Sequence, residues 1–148
     1  MGPGSRVKVY PDTSFLVSVY LTDVHSSEAD RLMFEFGSSL VITALHELEF
    51  NNAVELAVFR RAITTSQAIN ARADYERDMA HWGLQPLPVD VFTRAVTLAR
   101  RHTARRGTRS LDILHVAAAL ALGAEAFLTF DRRQHQLAKS EGLRAFPK

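Results

Sequence analysis

Short apolar runs of four or five residues recur along this chain, separated by longer stretches whose apolar positions repeat every three or four residues. These are the periods of a buried strand and an amphipathic helix. Val7 to Tyr10 predicts a strand, and Asp12, Thr13 and Ser14 supply capping chemistry for a helix over Phe15 to Leu21. A second helix is expected from Ser26 or Ser27 to Phe36, stopped by Gly37, and Leu40 to Thr43 reads as the next strand. Ala44 to about Trp82 is helical, broken near Thr64, Thr65 and Ser66 into a hairpin. Gly83 to Pro88 turns the chain, with a minimal strand at Leu84 to Leu87, and Asp90 opens a helix to about Arg105 that Gly107 stops. Ser110 caps an alanine-rich helix, Leu111 to Leu122, closed by Gly123; Ala126 to Phe130 is a strand, Arg132 to Ser140 a helix, and Leu143 to Phe146 a last strand.

Strands alternating with helices predict an α/β fold, a three-layer sandwich whose central parallel sheet of four or five strands is flanked by helices. With 148 residues the chain has room for one domain. Met1 to Ser5 looks like an expression-tag remnant, leaving residues 6–148 as the domain. Apolar residues at 47% and charged residues at 23% are ordinary globular usage, so a core can form without covalent staples. The absence of cysteine excludes disulfide scaffolds, cysteine-based zinc sites, iron–sulfur clusters and thiol nucleophiles. The longest apolar stretch, Val116 to Leu122, is far shorter than a membrane helix, and no export leader is recognised, so a cytoplasmic protein with no membrane association is expected.

Charge informs by position. Eighteen basic against sixteen acidic residues give only +2, but six arginines fall between Arg94 and Arg109 with no acid among them. On the expected helix Arg94, Arg101 and Arg105 lie within about 40° of one another, one basic stripe. Such a stripe is either a solvated face or a contact for phosphate oxygens, which arginine forks match in pairs.

In parallel sheets of this kind ligands gather outside the carboxyl ends of the strands, which gives weight to acids at strand-to-helix junctions. Asp12 and Asp131 stand at two such junctions, although each could serve only as a helix cap. Asp112 lies in the first turn of a helix whose other residues, His115 apart, are leucine, isoleucine, valine and alanine. Glu47 and Glu49 open the helix after Thr43; they are about 200° apart, so only one can face a shared site, and the helical wheel does not decide between them. Carboxylates gathered without a cation repel and protonate. Oxygen ligands without sulfur favour a hard ion, Mg²⁺ or Mn²⁺, which activates water and neutralises charge on a phosphodiester. The six histidines show no zinc-ligand spacing; Asp112 and His115 are one turn apart, but His115 on its alanine-rich helix reads as a hydrogen-bonded packing residue. Neither a G-x-S-x-G elbow nor a glycine-rich phosphate loop is present.

Four segments in order carry a resemblance: Tyr10-Pro11-Asp12-Thr13-Ser14-Phe15-Leu16-Val17, Glu49-Phe50-Asn51-Asn52-Ala53, Ser110-Leu111-Asp112-Ile113-Leu114-His115-Val116-Ala117-Ala118-Ala119, and Phe127-Leu128-Thr129-Phe130-Asp131. Together they resemble the PIN-domain nucleases, specifically the VapC-type toxins of toxin–antitoxin pairs, over about Val7 to Phe146. The resemblance implies a PIN-like, Rossmann-like sandwich and an Mg²⁺- or Mn²⁺-dependent endoribonuclease that cuts single-stranded RNA, often a loop of tRNA or rRNA. Asp12 matches the first-strand aspartate, Asp112 the acid of the alanine-rich helix and Asp131 the acid after the fourth strand. A hydroxyl residue six positions before the glutamate, with x-x-N-A after it, is the family pattern that Thr43 and Glu49 satisfy, which selects Glu49 over Glu47. Ser14 and Thr129 match hydroxyl positions that orient a carboxylate or metal water. Pro11 departs from the pattern, because proline removes a donor from a central strand.

Asp12, Glu49, Asp112 and Asp131 are therefore the expected catalytic and metal residues, with Arg94, Arg101 and Arg105 as the RNA-guiding stripe. A small antitoxin covering the acidic pocket and a toxin homodimer are the implied partners. Phe15 to Leu21 and Met33 to Phe36 are assigned to the core or to those interfaces. The alternatives are a PIN domain acting in RNA processing, a PIN-like binding module without catalysis, and a DNA structure-specific nuclease, for which the chain is short.

Overall fold

The short apolar runs form the sheet. In the computed structural model, which describes residues 7–148, β1 (Val9–Pro11), β2 (Ala126–Leu128) and β3 (Arg144–Phe146) pair in parallel in that order. The Met1 to Ser5 segment read as a tag remnant lies outside the described residues, as does Arg6. Tyr10 pairs with Phe127, and Phe127 with Ala145, so the three strands run in step and end at one edge.

Seven helices surround the sheet among the described residues: α1 (Thr13–Tyr20), α2 (Ser26–Phe36), α3 (Ala44–Phe59), α4 (Thr65–Trp82), α5 (Val91–Arg106), α6 (Ser110–Ala121) and α7 (Arg132–Ser140). Alternation along each strand decides which helices cover which face. Tyr10 and Phe127 point to a core built with Leu98 of α5, Val116 and Ala117 of α6 and Leu137 of α7. Val9, Ala126 and Leu128 point the other way, onto Phe15 of α1, Leu32 of α2, Phe50 of α3 and Tyr75 of α4. Both faces are therefore buried, which gives the expected three layers. Each large apolar side chain taken fully out of water contributes roughly 1.5–3 kcal/mol before entropy is counted. Phe15 and Leu16 are core residues, whereas Phe34 of the Met33 to Phe36 segment is 96% exposed.

The sheet is leaner than expected. Leu40 to Thr43 and Leu84 to Leu87 are not strands; each joins the sheet through a single parallel pairing, Val9 with Leu40 and Ile42 with Leu84. Pro11 accounts for the first. Val41 N–H donates to Val9 O at 2.9 Å, and the next rung of a parallel ladder would start from the N–H of residue 11, which proline does not have. The Pro11 carbonyl on that side instead accepts a hydrogen bond from His46 Nε2 at 2.7 Å. On the outer side Gln85 N–H donates to Ile42 O at 2.7 Å, and Pro86 and Pro88 supply no further donors. The order across the sheet is therefore Leu84, the 40–42 segment, β1, β2, β3. Five chain segments lie side by side, of which three are regular strands.

Candidate active site

All the strands are parallel, so the chain leaves each of them at the same edge, and the residues just beyond β1 and β2 meet there. Asp12 follows β1 and caps α1: Oδ1 accepts from Phe15 N–H at 2.7 Å and from Ser14 Oγ at 2.8 Å. Its other oxygen, Oδ2, accepts from Thr129 Oγ1 at 2.5 Å, and Thr129 Oγ1 in turn accepts from Asp131 N–H at 3.0 Å. One buried hydroxyl thus joins the acids that follow two neighbouring strands. Asp12 is only 2% exposed, and burial lifts its carboxyl above the usual range, against the pull of Thr129, Phe15, Ser14 and His115.

Glu49 enters from α3. Thr43 and His46 start this helix with a reciprocal cap in which Thr43 N–H donates to His46 Nδ1 at 3.0 Å. Nδ1 is an acceptor there, so Nε2 carries the proton that reaches Pro11 O. Burial, with the charge of His115, pushes His46 down to about 3 and keeps it neutral. One turn along, Glu49 Oε1 accepts from Thr13 Oγ1 at 2.9 Å and pairs with His115 Nε2. The far side of the His115 ring, Nδ1, meets the Tyr10 hydroxyl at 2.7 Å. Burial holds the Tyr10 phenol well above its ordinary value, so the hydroxyl keeps its proton. Burial alone would raise the Glu49 carboxyl, but the His115 bond and charge and the Thr13 hydroxyl bring it below normal. Glu47 faces elsewhere and accepts from Tyr75 OH on α4 at 2.8 Å.

Asp112 sits in the first turn of α6, one turn before His115, with Arg109 Nε 3.8 Å from Oδ2. Burial raises its carboxyl, and the charges of Asp131 and Glu49 add to the rise while Arg109 and His115 oppose it. Asp131 caps α7, with Oδ1 accepting from Gln134 N–H at 2.9 Å; the buried Gln134 side chain reaches back to Asp112 O at 3.2 Å. The four acids are therefore linked: Asp12 to Asp131 through Thr129, Asp12 to Glu49 through the adjacent Thr13, and Asp131 to Asp112 through Gln134.

Glu49 and Asp131 line a cleft of about 590 Å³ together with Thr13, Ser14, Asp23, His25 and Phe130. Arg94, Arg101 and Arg105 are not among its lining residues. Arg94 is paired with Asp90 at 2.9 Å, Arg101 with Glu141 at 2.8 Å, and Arg105 reaches the Arg101 carbonyl at 3.4 Å. Two arginines of the stripe therefore already have carboxylate partners. Thr13, Tyr10, His46 and Gln134 take part in the site although nothing in the sequence reading marked them for it. Thr13 was visible only as a capping candidate beside Asp12, and the partners of the others lie tens of residues away along the chain.

Residues 9–140 match the PIN domain. The chain belongs to the PIN-domain family. Its relatives include two VapC proteins of Mycobacterium tuberculosis, Ribonuclease VapC45 of strain CDC 1551 / Oshkosh and Ribonuclease VapC49 of strain ATCC 25618 / H37Rv. Each is 30% identical over 141 residues, covering 94% of this chain and 94% of the relative. Among solved structures, VapBC2 from Rickettsia felis, bound to a DNA fragment from its promoter, matches with a TM-score of 0.67 at 11% identity, over 94% of this chain and 97% of that one. At that identity the match speaks for the fold alone.

PIN domains are associated with a divalent ion, and the donor chemistry here fits one. Glu49 Oε2, Asp131 Oδ2 and both Asp112 oxygens accept no hydrogen bond among the described residues, and all are hard oxygen ligands. The raised carboxyls of Asp12 and Asp112 are those a cation would relieve. Among the described residues no three His, Asp or Glu side chains are close enough to enclose an ion. No helix among the described residues is long and apolar enough to cross a membrane.

Proposed function

We propose that this PIN domain is an endoribonuclease that hydrolyses single-stranded or loop RNA with Mg²⁺ or Mn²⁺, acting as the toxin of a type II toxin–antitoxin pair. The observation that carries the proposal is the linkage of Asp12, Glu49, Asp112 and Asp131 at one sheet edge through Thr129, Thr13 and Gln134. Near-full-length similarity to two proteins named as VapC ribonucleases supports the substrate class.

The four acids would hold the ion, which when bound supplies Lewis acidity toward water and toward the phosphodiester. The chain does the rest. Thr129 and Ser14 fix the Asp12 carboxylate, and His115 with Thr13 fixes one oxygen of Glu49 and leaves Oε2 available. The N-termini of α1, α6 and α7 point their free N–H ends toward the acids and favour negative charge there. Among the described residues the hydroxyls at this edge, Thr13, Ser14 and Thr129, are committed to orienting the carboxylates, which fits direct attack by water better than a covalent intermediate.

A small antitoxin over the cleft and a homodimer are the partners we propose. Solved neighbours of this fold include VapBC from Salmonella typhimurium bound to DNA and FitAcB from Neisseria gonorrhoeae. The half-exposed Phe92, Val96 and Leu111 border an apolar groove of about 310 Å³ between α5 and α6, and Leu111 also lines the acidic cleft. We assign this groove to the second copy.

Substituting Asp12→Asn or Asp112→Asn should abolish Mn²⁺-dependent cleavage of an unstructured RNA while the circular dichroism spectrum is unchanged. Asparagine keeps the oxygen that caps α1, so loss of activity would report on charge. Normal cutting by either variant removes that residue from the mechanism. The incompletely closed acid cluster favours one rival, a binding module that does not cut; wild-type protein that binds RNA but releases no product with Mn²⁺ would establish it.

A further inference from the structure

Beside the acids stands a stack of three rings for which hydrolysis alone has no use. His25, in the turn before α2, lies flat on Phe130 with ring centroids 4.4 Å apart and planes 7° from parallel. Phe130 stacks in turn on Phe15 at 5.8 Å and 23°. Phe15 is fully buried, Phe130 partly covered and His25 exposed, so the stack runs from the core to the surface and ends in a planar ring. The turn that carries His25 is braced: its N–H donates to Asp23 Oδ1 at 2.8 Å, and Asp23 Oδ2 accepts from Ser18 Oγ at 2.8 Å. A ring held in this way loses little freedom when something flat settles on it.

Its location says what that would be. His25 and Phe130 line both the acidic cleft and a second cleft of about 380 Å³ bordered by Thr129, Asp131, Arg132 and His135. Asp131, the residue after Phe130, lines both clefts as well. A strand passing from one cleft to the other crosses the ring stack beside an acid of the proposed centre, with Arg132 on the far side to meet a phosphate. Bases of a duplex are already stacked on each other, whereas an unpaired base has a π-face to offer.

We propose that His25, backed by Phe130, is a stacking platform for one unpaired nucleobase next to the bond that is cut, so that the site prefers unpaired RNA. The proposal rests on the nuclease reading, and the test separates the two. A short unstructured oligoribonucleotide carrying 2-aminopurine at successive positions is bound to the full chain in chelator, where stacking quenches its fluorescence; cleavage of the same strand is followed separately with Mn²⁺.

One position should be quenched by the wild type and released by His25→Ala, with Kd and KM rising roughly five- to hundredfold and kcat changing far less, the range expected for loss of one stacked base. His25→Phe should restore quenching and affinity. Unaltered binding by His25→Ala, or rescue by His25→Lys and not by His25→Phe, overturns the platform while leaving the nuclease reading intact. Quenching without cleavage by the wild type overturns the nuclease reading and leaves the platform; absence of both overturns both.

Discussion

Thr129 has one hydroxyl and two partners: it donates to buried Asp12 and accepts from the Asp131 amide. Replacing it with isosteric valine leaves a buried carboxylate oxygen short of a donor, a change that costs about 1–3 kcal/mol. Urea unfolding of Thr129→Val should show that loss, and an unchanged midpoint would mean the hydroxyl is not needed to hold Asp12. His46 makes a prediction in pH. Its folded value is depressed to about 3 by burial, below the ordinary 6.5, so the unfolded chain binds the extra proton first. Its contribution to stability is complete above pH 6.5 and is lost as pH falls toward 3. Urea midpoints should decline across that window less steeply in His46→Gln than in the wild type; parallel slopes would reassign the acid sensitivity to other groups. Asp12 and Asp131 were legible in the sequence as junction acids, and both also serve as the caps that were the alternative reading for them: one oxygen caps a helix, while the other is held by Thr129 in Asp12 and accepts no hydrogen bond among the described residues in Asp131. His115 was legible as a hydrogen-bonded packing residue. Its acid partner was not, because Glu49 lies 66 residues away and nothing local marks the pairing.

Helices were legible because their ends carry local chemistry. Thr64 and Gln67 form a reciprocal capping box at the start of α4, and Gly107, at φ 63°, closes α5 in the left-handed region. Thr64→Ala should lower stability by about 1 kcal/mol through the lost cap. Gly107→Ala should cost a similar amount, about 1 kcal/mol, from backbone conformation, since its Cβ would meet nothing closer than Arg133 Nη1 at 4.0 Å. Thermal melts measure both, and a Gly107→Ala protein as stable as the wild type would show that the turn can relax. The segments at Leu40 and Leu84 were misjudged for a non-local reason. Their apolar composition suits a strand, but whether a ladder grows depends on the neighbour, and for Leu40 to Thr43 that neighbour includes Pro11, whose missing donor ends pairing after one rung. The helical wheel could not separate Glu47 from Glu49; α4, which supplies Tyr75 to Glu47, and α6, which supplies His115 to Glu49, assign them to different surroundings.

At the scale of the molecule, burying both faces of a parallel sheet leaves its edges as the places where polar groups can collect, and the four chosen acids lie at the edge where the strands end. The arginine stripe on α5 lies outside that geometry. Arg94 and Arg101 direct their charge to Asp90 and Glu141, and the half-exposed Arg94–Asp90 pair contributes little to stability. A guiding role for them predicts that Arg101→Ala weakens RNA binding and flattens its salt dependence; unchanged salt dependence would leave the stripe to solvent. If the groove at Phe92, Val96 and Leu111 receives a second copy, Val96→Glu should convert a dimer to monomer in light scattering, and a wild type that is monomeric at high concentration contradicts that assignment. The central claim, that acids distant in sequence share a divalent ion, is tested most directly by titrating Mn²⁺ into the wild type and into Asp112→Asn by calorimetry. Saturable binding by the wild type, lost or strongly weakened in the variant, is the expected result; no saturable heat from folded wild-type protein, or equal binding by both, would contradict it.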